Sequence, residues 1–193
     1  MSREDIILRQ IWSDLNSSLK IRNHPFHIFS VATINNKIKP DIRNVVLRDV
    51  DELSNTISFH TDIRSKKIDQ IINNSDVCAL FYNQKEKIQL RLYGKIYAVK
   101  DKCVLKERWN KSKNMSKLCY LNKYPPGEII LSAKDYLPDD NDLENIDNGL
   151  KNFSILNINI QSIDWLNLSY KGHERMIIEF FDNSNVKFKW VAP

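Results

Sequence analysis

The sequence predicts a mainly β protein with added helices, folded as an antiparallel barrel. Three observations lead there. Strand-like segments of modest length recur along the chain, interrupted by short stretches of helical period. Most gaps between successive strands are too short for the crossover helix that parallel strands require. Only four glycines occur, Gly94, Gly127, Gly149 and Gly172, and none lies near another, so neither a glycine-rich dinucleotide turn nor a P-loop is present.

The elements follow in order. Over 4–20, Ile7, Ile11, Leu15 and Leu19 recur at spacing four, and Leu8 and Trp12 widen the stripe, giving an amphipathic helix. Residues 27–34 read as a strand, Asn35-Asn36-Lys37 as a turn, and 42–49 and 56–61 as two further strands. The period then changes: Ser65 can cap a helix carrying Ile68, Ile71 and Ile72. Strands return at 77–83 and 87–99. The longer one sets Ile88, Leu90 and Leu92 against Gln89, Arg91 and Tyr93, with Gly94 marking a bend or bulge. A helix is expected over 101–113, a turn at Pro125-Pro126-Gly127, a short helix over 142–151, and strands at 153–163, 173–181 and 186–191. The 193 residues suit one domain: an N-terminal helix within 1–22, a helical connection over 100–152 and C-terminal strands over 153–193.

Composition narrows the function. The N-terminus is charged and amphipathic rather than signal-like, and no apolar run approaches a membrane span. Cys78, Cys103 and Cys119 are an odd set without a C-x-x-C pair, which points to a reducing, cytoplasmic setting. The four histidines show no metal-ligand spacing, and Asp139-Asp140-Asn141-Asp142 lacks the glycine and closing glutamate of a calcium loop, so no metal is expected. The net charge of +5 fits nucleic acid, an anionic ligand or solubility alone. Its positive residues are spread over the chain apart from one group at Arg64 to Lys67. A nucleic-acid-binding barrel would need a broader basic face, and neither nucleic acid nor membrane is expected as a partner.

Four constellations carry chemistry, and each has a plain alternative. Arg43 and Arg48 border an apolar strand. Guanidinium groups suit a phosphate dianion, but positions five apart face opposite sides unless the strand twists or bulges, and two surface arginines fit equally. His60, Thr61, Asp62, Ile63, Arg64, Ser65, Lys66 and Lys67 span a strand end and a helix start. There hydroxyls, cations and free amides could hold a phosphate, or simply cap the helix. Gln89 can both donate and accept, as the edge of a flavin ring requires, or can face water. Trp165, Lys171, His173 and Arg175 could flank a ring and an anion, or form a core tryptophan beside a charged hairpin.

In this order the segments resemble the pyridoxamine 5′-phosphate oxidase-like family. The resemblance rests on Arg43 to Arg48, Thr61 to Lys67, Gln89 to Gly94, and Trp165 to Arg175 with the tail Trp190-Val191-Ala192-Pro193, and covers roughly residues 25–193. It implies a split β-barrel homodimer with two FMN molecules at the interface. Arg43, Lys66 and Lys67 would hold the phosphate and ribityl chain, within a cofactor set that includes His60, Thr61, Arg64, Ser65 and Gln89. Trp165 and Arg175 would approach the flavin from the other subunit. Arg48 would lie between flavin and substrate, and Trp109, Lys171 and His173 would meet the substrate. The implied activity is that of an FMN-dependent oxidoreductase acting on a small molecule, with a non-catalytic flavin store or sensor as the alternative; no catalytic acid or base is assigned. Where oxidases of the family carry an R-P-x-x-S-like segment, this chain has Trp109-Asn110-Lys111-Ser112-Lys113-Asn114, closer to an uncharacterised branch than to the vitamin B6 enzyme.

Overall fold

The computed structural model describes residues 1–133, 144–181 and 185–193. The acidic segment Asp139 to Asp142 lies outside them. Helix α1 (Arg3–Lys20) is opened by a reciprocal cap: Ser2 Oγ accepts from the Asp5 amide, and the Asp5 carboxylate accepts from the Ser2 amide. Its stripe buries Ile11, Trp12 and Leu15 in the main core.

Eight strands follow among the described residues: β1 (Ile28–Ile34), β2 (Pro40–Asp51), β3 (Thr56–Asp62), β4 (Asp76–Asn83), β5 (Ile88–Ala98), β6 (Phe153–Asn167), β7 (Glu174–Phe180) and β8 (Val186–Val191). Helix α2 (Lys66–Asn73) separates β3 from β4. Every neighbouring pair is antiparallel, in the order β3-β2-β1-β4-β5-β6-β7-β8, and β3 also pairs with β6. That extra pairing closes six strands into a barrel. Strands β7 and β8 continue the sheet beyond β6, so the protein is a β-barrel with added helices. Among the described residues no helix is long and apolar enough to cross a membrane.

Alternation along the strands fills the barrel. Phe29, Val31, Phe59, Phe81, Leu90, Leu92, Leu156 and Ile158 point inward and form one cluster, with Phe29 and Phe81 stacked at 4.5 Å between ring centroids. Two irregularities reset this alternation. In β2 the register shifts between Leu47 and Asp49, so Arg48 is an extra residue on a bulge. In the β5–β6 pairing Tyr93 faces Ser162 while Gly94 faces Ile160, so Gln161 is the extra residue on β6. Gly94 allows this close approach: a Cβ there would stand 1.9 Å from the Asn159 carbonyl oxygen.

Among the described residues the helical connection contains α3 (Lys102–Lys111), α4 (Asn114–Lys117) and two 3₁₀ turns, Leu118–Tyr120 and Ile146–Asn152. It builds a second, smaller core on the outer face of β3 and β6 from Trp109, Phe153 and Ile155. In the described part of the short helix expected over 142–151, Glu144 is helical and the rest is corrected to the 3₁₀ turn from Ile146. This stretch is rich in residues that favour turns over α-helix, and Gly149 is held beneath the Trp109 ring, 2.8 Å from where a Cβ would stand. The strand expected to end at 163 runs on to Asn167.

Candidate functional site

The best-built polar site lies where α2 meets the ends of β1, β2 and β3. Arg43 and Thr61 are on the inward-facing side of their strands, and both reach α2 side chains. Arg43 Nη1 donates to Thr33 Oγ1 at 2.6 Å and to the Val31 carbonyl at 3.3 Å. Its Nη2 donates to Gln70 Oε1 at 3.1 Å and pairs with Asp41 Oδ2 at 2.7 Å. Lys67, one turn before Gln70, donates from Nζ to Thr61 Oγ1 at 2.8 Å and to Ser65 Oγ at 2.7 Å.

Ser65 stands at the N-cap position, but its hydroxyl serves Lys67 and makes no cap hydrogen bond. The expected capping role is thereby corrected: a cation two residues on is a stronger partner than a helix amide. Burial, and Arg43 beside it, push the Lys67 ammonium down to about 8, with Asp62 and Asp41 opposing. Two cations thus converge among hydroxyls at a helix start, where the first amides lack helical acceptors. Such a donor set fits a phosphate dianion, which would restore the charged form of Lys67.

The neighbouring basic residues divide. Arg64 is committed to the protein: it donates to both carboxylate oxygens of buried Asp62 and to the carbonyls of Asn122 and Lys123. It ties the 118–123 segment to the end of β3, a structural task. Lys66 is exposed beside Gly127, so the Pro125-Pro126-Gly127 turn borders the corner.

Arg48 lies on the outer side of β2, so the bulge does not bring it to Arg43. It is exposed and close enough, together with Arg108, to disfavour protonation of His60. Burial is the larger cause, and His60 is pushed down to about 3, packed edge-on to Phe153 at 4.8 Å. Tyr120 lies in the same outer cluster, where burial lifts its phenol well above the usual range. Arg108 pairs with Asp49.

A second polar group lies on the outer face of β5, β6 and β7. Gln89 is half-buried and faces Leu166 in register, and Leu166 faces Arg175. Arg175 is held bidentately by Asp164, through Nε at 3.0 Å and Nη2 at 2.8 Å, and Arg91 pairs with the same carboxylate. Asp164 is buried, so its two arginines neutralise a charge that could not stand alone. Lys171 and His173 are exposed on the β6–β7 turn, lining a shallow depression with Asn167 and Glu174.

Both candidate tryptophans take core positions. Trp165 is 6% exposed and points inward, edge-on to Trp190 at 6.4 Å. This is the core reading the sequence left open; the bulge at Gln161 turns the residue inward. Trp109 is 1% exposed, and its Nε1 donates to Asp147 at 2.8 Å. The expected substrate contact is corrected here to the centre of the smaller core.

Sequence reasoning missed Thr33, Asp41, Gln70 and Asp164. Two carried a signal: Asp41 shares a strand face with Arg43 at i,i+2, and Gln70 shares a helix face with Lys67 at i,i+3. Asp164 meets Arg91 and Arg175 only through register, which no local pattern reveals.

Residues 9–100 match the family model described as pyridoxamine 5′-phosphate oxidase, FMN-binding domain. Over nearly the whole chain the fold is similar to that of a pyridoxamine 5′-phosphate oxidase-related, FMN-binding protein of Nostoc punctiforme, with TM-score 0.76, 20% identity, and 96% of this chain and 97% of that chain covered. PhzG from Burkholderia lata 383, solved with tetrahydrophenazine-1-carboxylic acid, aligns with TM-score 0.71 and 15% identity, covering 98% of this chain and 92% of that one. A Clostridium acetobutylicum protein related to general stress protein 26 aligns with TM-score 0.56 and 13% identity, over 86% of this chain and 93% of that one. These likenesses are of fold. No curated protein matches the chain by sequence.

Proposed function

We propose that this chain, whose residues 9–100 match the pyridoxamine 5′-phosphate oxidase FMN-binding-domain model, binds FMN, with its phosphate at the Arg43–Lys67 corner, and acts as an FMN-dependent oxidoreductase. The observation that carries this reading is the convergence of Arg43 and Lys67, from β2 and α2, on one hydroxyl-lined corner. Lys66 adds charge at its rim. Gln89, on the outer face, would meet the polar edge of the ring with an amide that donates and accepts.

Bound FMN would supply the electron-transfer chemistry; the chain binds, orients and shields. Arg48, Lys171 and His173 are exposed groups suited to an anionic small substrate. The His173 imidazole can donate or accept a hydrogen bond there.

The same reading includes a homodimer. The outer face of β1, β2, β4 and β5 exposes Ile28 and Tyr82 towards one end and Ile42 and Tyr93 towards the other, with Ser30, Asn44 and Arg91 on the row between, a sheet surface that a second copy could cover. Tyr82 is the register partner of Gln89, so the flavin-edge residue sits at the rim of that surface. This placement favours a cofactor site shared between two chains.

The test is direct. Purified protein should show a flavin spectrum, or acquire one on titration with FMN, and scatter light as a dimer. Arg43→Ala and Lys67→Ala should each weaken FMN about tenfold or more while the protein stays folded, since each removes a charge-assisted bond to ligand. Unchanged FMN affinity in both variants overturns the site. A monomer that holds FMN tightly overturns the shared cofactor site. Holo-protein whose flavin no reductant or substrate panel alters at a useful rate leaves the binding reading and overturns the enzymatic one.

A further inference from the structure

Arg43 has little of its hydrogen-bonding capacity left over. Its Nη1 has acceptors in Thr33 and Val31, and its Nη2 has acceptors in Gln70 and Asp41. The four contacts differ in kind. Thr33 and Gln70 are buried, with Gln70 6% exposed, and they bond each other, Thr33 Oγ1 donating to Gln70 Oε1 at 2.6 Å. Gln70 spends its amide nitrogen on Asp41 Oδ2 at 2.8 Å. Asp41, by contrast, keeps 44% of its side chain exposed, against 21% for Arg43. One side of the guanidinium is held by neutral buried groups, while the open side faces a carboxylate at the surface.

We propose that Asp41 is a resident competitor for the ligand phosphate, occupying the open side of Arg43 until phosphate arrives, and that Gln70 is the positioning residue that keeps Arg43 aimed while the two anions exchange. The proposal rests on the FMN reading for the identity of the ligand, but on the corner's own hydrogen bonds for its mechanism. A carboxylate and a phosphate draw on the same N–H groups of one guanidinium. Phosphate therefore binds against Asp41 repulsion and must displace or share its contact. Removing that charge should tighten the site. Loss of the Gln70 amide should loosen it, because Arg43 then keeps only Asp41 on Nη2 and follows that carboxylate outward.

The experiment compares FMN with riboflavin, which lacks the phosphate, on wild-type protein, Asp41→Asn and Gln70→Leu. Asp41→Asn keeps an oxygen for the Gln70 amide and removes the charge. It should tighten FMN about fivefold, the effect expected from a half-exposed charge, and leave riboflavin unchanged. Gln70→Leu should weaken FMN and again spare riboflavin, a selectivity that general loosening of the fold would not produce. FMN affinity equal to or weaker than wild type in Asp41→Asn overturns the competitor role. Equal losses for both flavins in Gln70→Leu overturn the positioning role. Should wild-type protein bind neither flavin, the functional reading fails, and inorganic phosphate reads the corner instead. Thermal stabilisation by phosphate should be larger in Asp41→Asn and smaller in Gln70→Leu than in wild type, and equal stabilisation in all three overturns the proposal.

Discussion

The proposed FMN site should lose its ligand as the pH rises through 8, and Lys67 should be the cause. Burial and the adjacent Arg43 push its ammonium down to about 8 from an ordinary 10.5. A phosphate dianion beside it favours the charged form and raises that value again. Binding above pH 8 therefore takes up a proton, and binding below it does not. Affinity should be flat near neutral pH and then fall with a limiting slope of about one decade per pH unit. For a single site that is about twofold at pH 8 and roughly tenfold at pH 9, relative to pH 7. In the unliganded protein the sign is complementary. The folded value lies below the unfolded one, so charged Lys67 is a cost to folding below pH 8, relieved as pH rises toward 10.5. Flavin fluorescence titrations from pH 7 to 9.5 would read the binding effect, with riboflavin cancelling any titration of the ring. Lys67→Arg keeps its charge over this range and should abolish the slope. A ratio of FMN to riboflavin affinity independent of pH in wild-type protein would refute the reasoning, as would an unchanged slope in Lys67→Arg.

His60 should make the fold acid-sensitive: the unfolded imidazole takes up a proton near 6.5, whereas the folded one resists until about 3, so stability is lost as pH falls between those values. At pH 4.5 the loss is at most roughly 2–3 kcal/mol; urea midpoints at pH 7 and 4.5 should converge in His60→Gln, and an equal acid shift in the variant would count against it. Gly94→Ala forces a Cβ against the Asn159 backbone, which cannot swing aside as a side chain could, and should cost about 2–4 kcal/mol by thermal unfolding. A midpoint within two or three degrees of wild type would show that the β5–β6 bulge gives way. Trp109→Ala should cost about 3–5 kcal/mol through its cavity and orphan the Asp147 contact; a small effect would mean that the smaller core is not cooperative with the barrel.

The barrel was legible because its signals are local. Alternation in residues 27–34 and 87–99, the stripe Ile7-Ile11-Leu15-Leu19, and short gaps between strands each follow from period and chain length. The β3–α2 junction that carries Thr61, Ser65 and Lys67 was also legible as a local event, whereas the position of Arg43 beside it depends on sheet pairing. The orientation of Trp165 was not. Counting in twos from inward Ile158 and Ile160 sends Trp165 outward; the extra residue Gln161 reverses every side chain after it. Trp109 failed for another reason: its partners Phe153 and Ile155 are far along the chain, and α3 alone gives no clear apolar face to announce a second core. Arg64 looked like a phosphate cation because Asp62, two residues earlier, reads as a turn residue, although it is the buried carboxylate that claims the guanidinium.

The candidate residues separate into a corner and a face, and this separation has a consequence for assembly. Arg43 with Thr33 and Gln70, and Lys67 with Thr61 and Ser65, form two adjacent hydrogen-bonded sets at α2; Gln89 and Arg175 lie on the outer surface of β5 to β7, and among the described residues no hydrogen bond joins them to that corner. A ligand with a phosphate at one end and a polar ring at the other could span such groups within one chain or between two. The exposed apolar residues beside Gln89 favour the second arrangement: a second copy would bury Tyr82 and Ile28 and bring its own Arg175, already fixed by Asp164, toward the ring. A rigid arginine on a buried carboxylate is a poor solvent-facing ornament and a good docking group, because little side-chain freedom remains to be lost on binding. Disrupting the face with Tyr82→Lys should therefore weaken FMN and the dimer together, even though Tyr82 makes no contact with the phosphate corner. Loss of the dimer with FMN affinity intact would place the whole cofactor site in one chain.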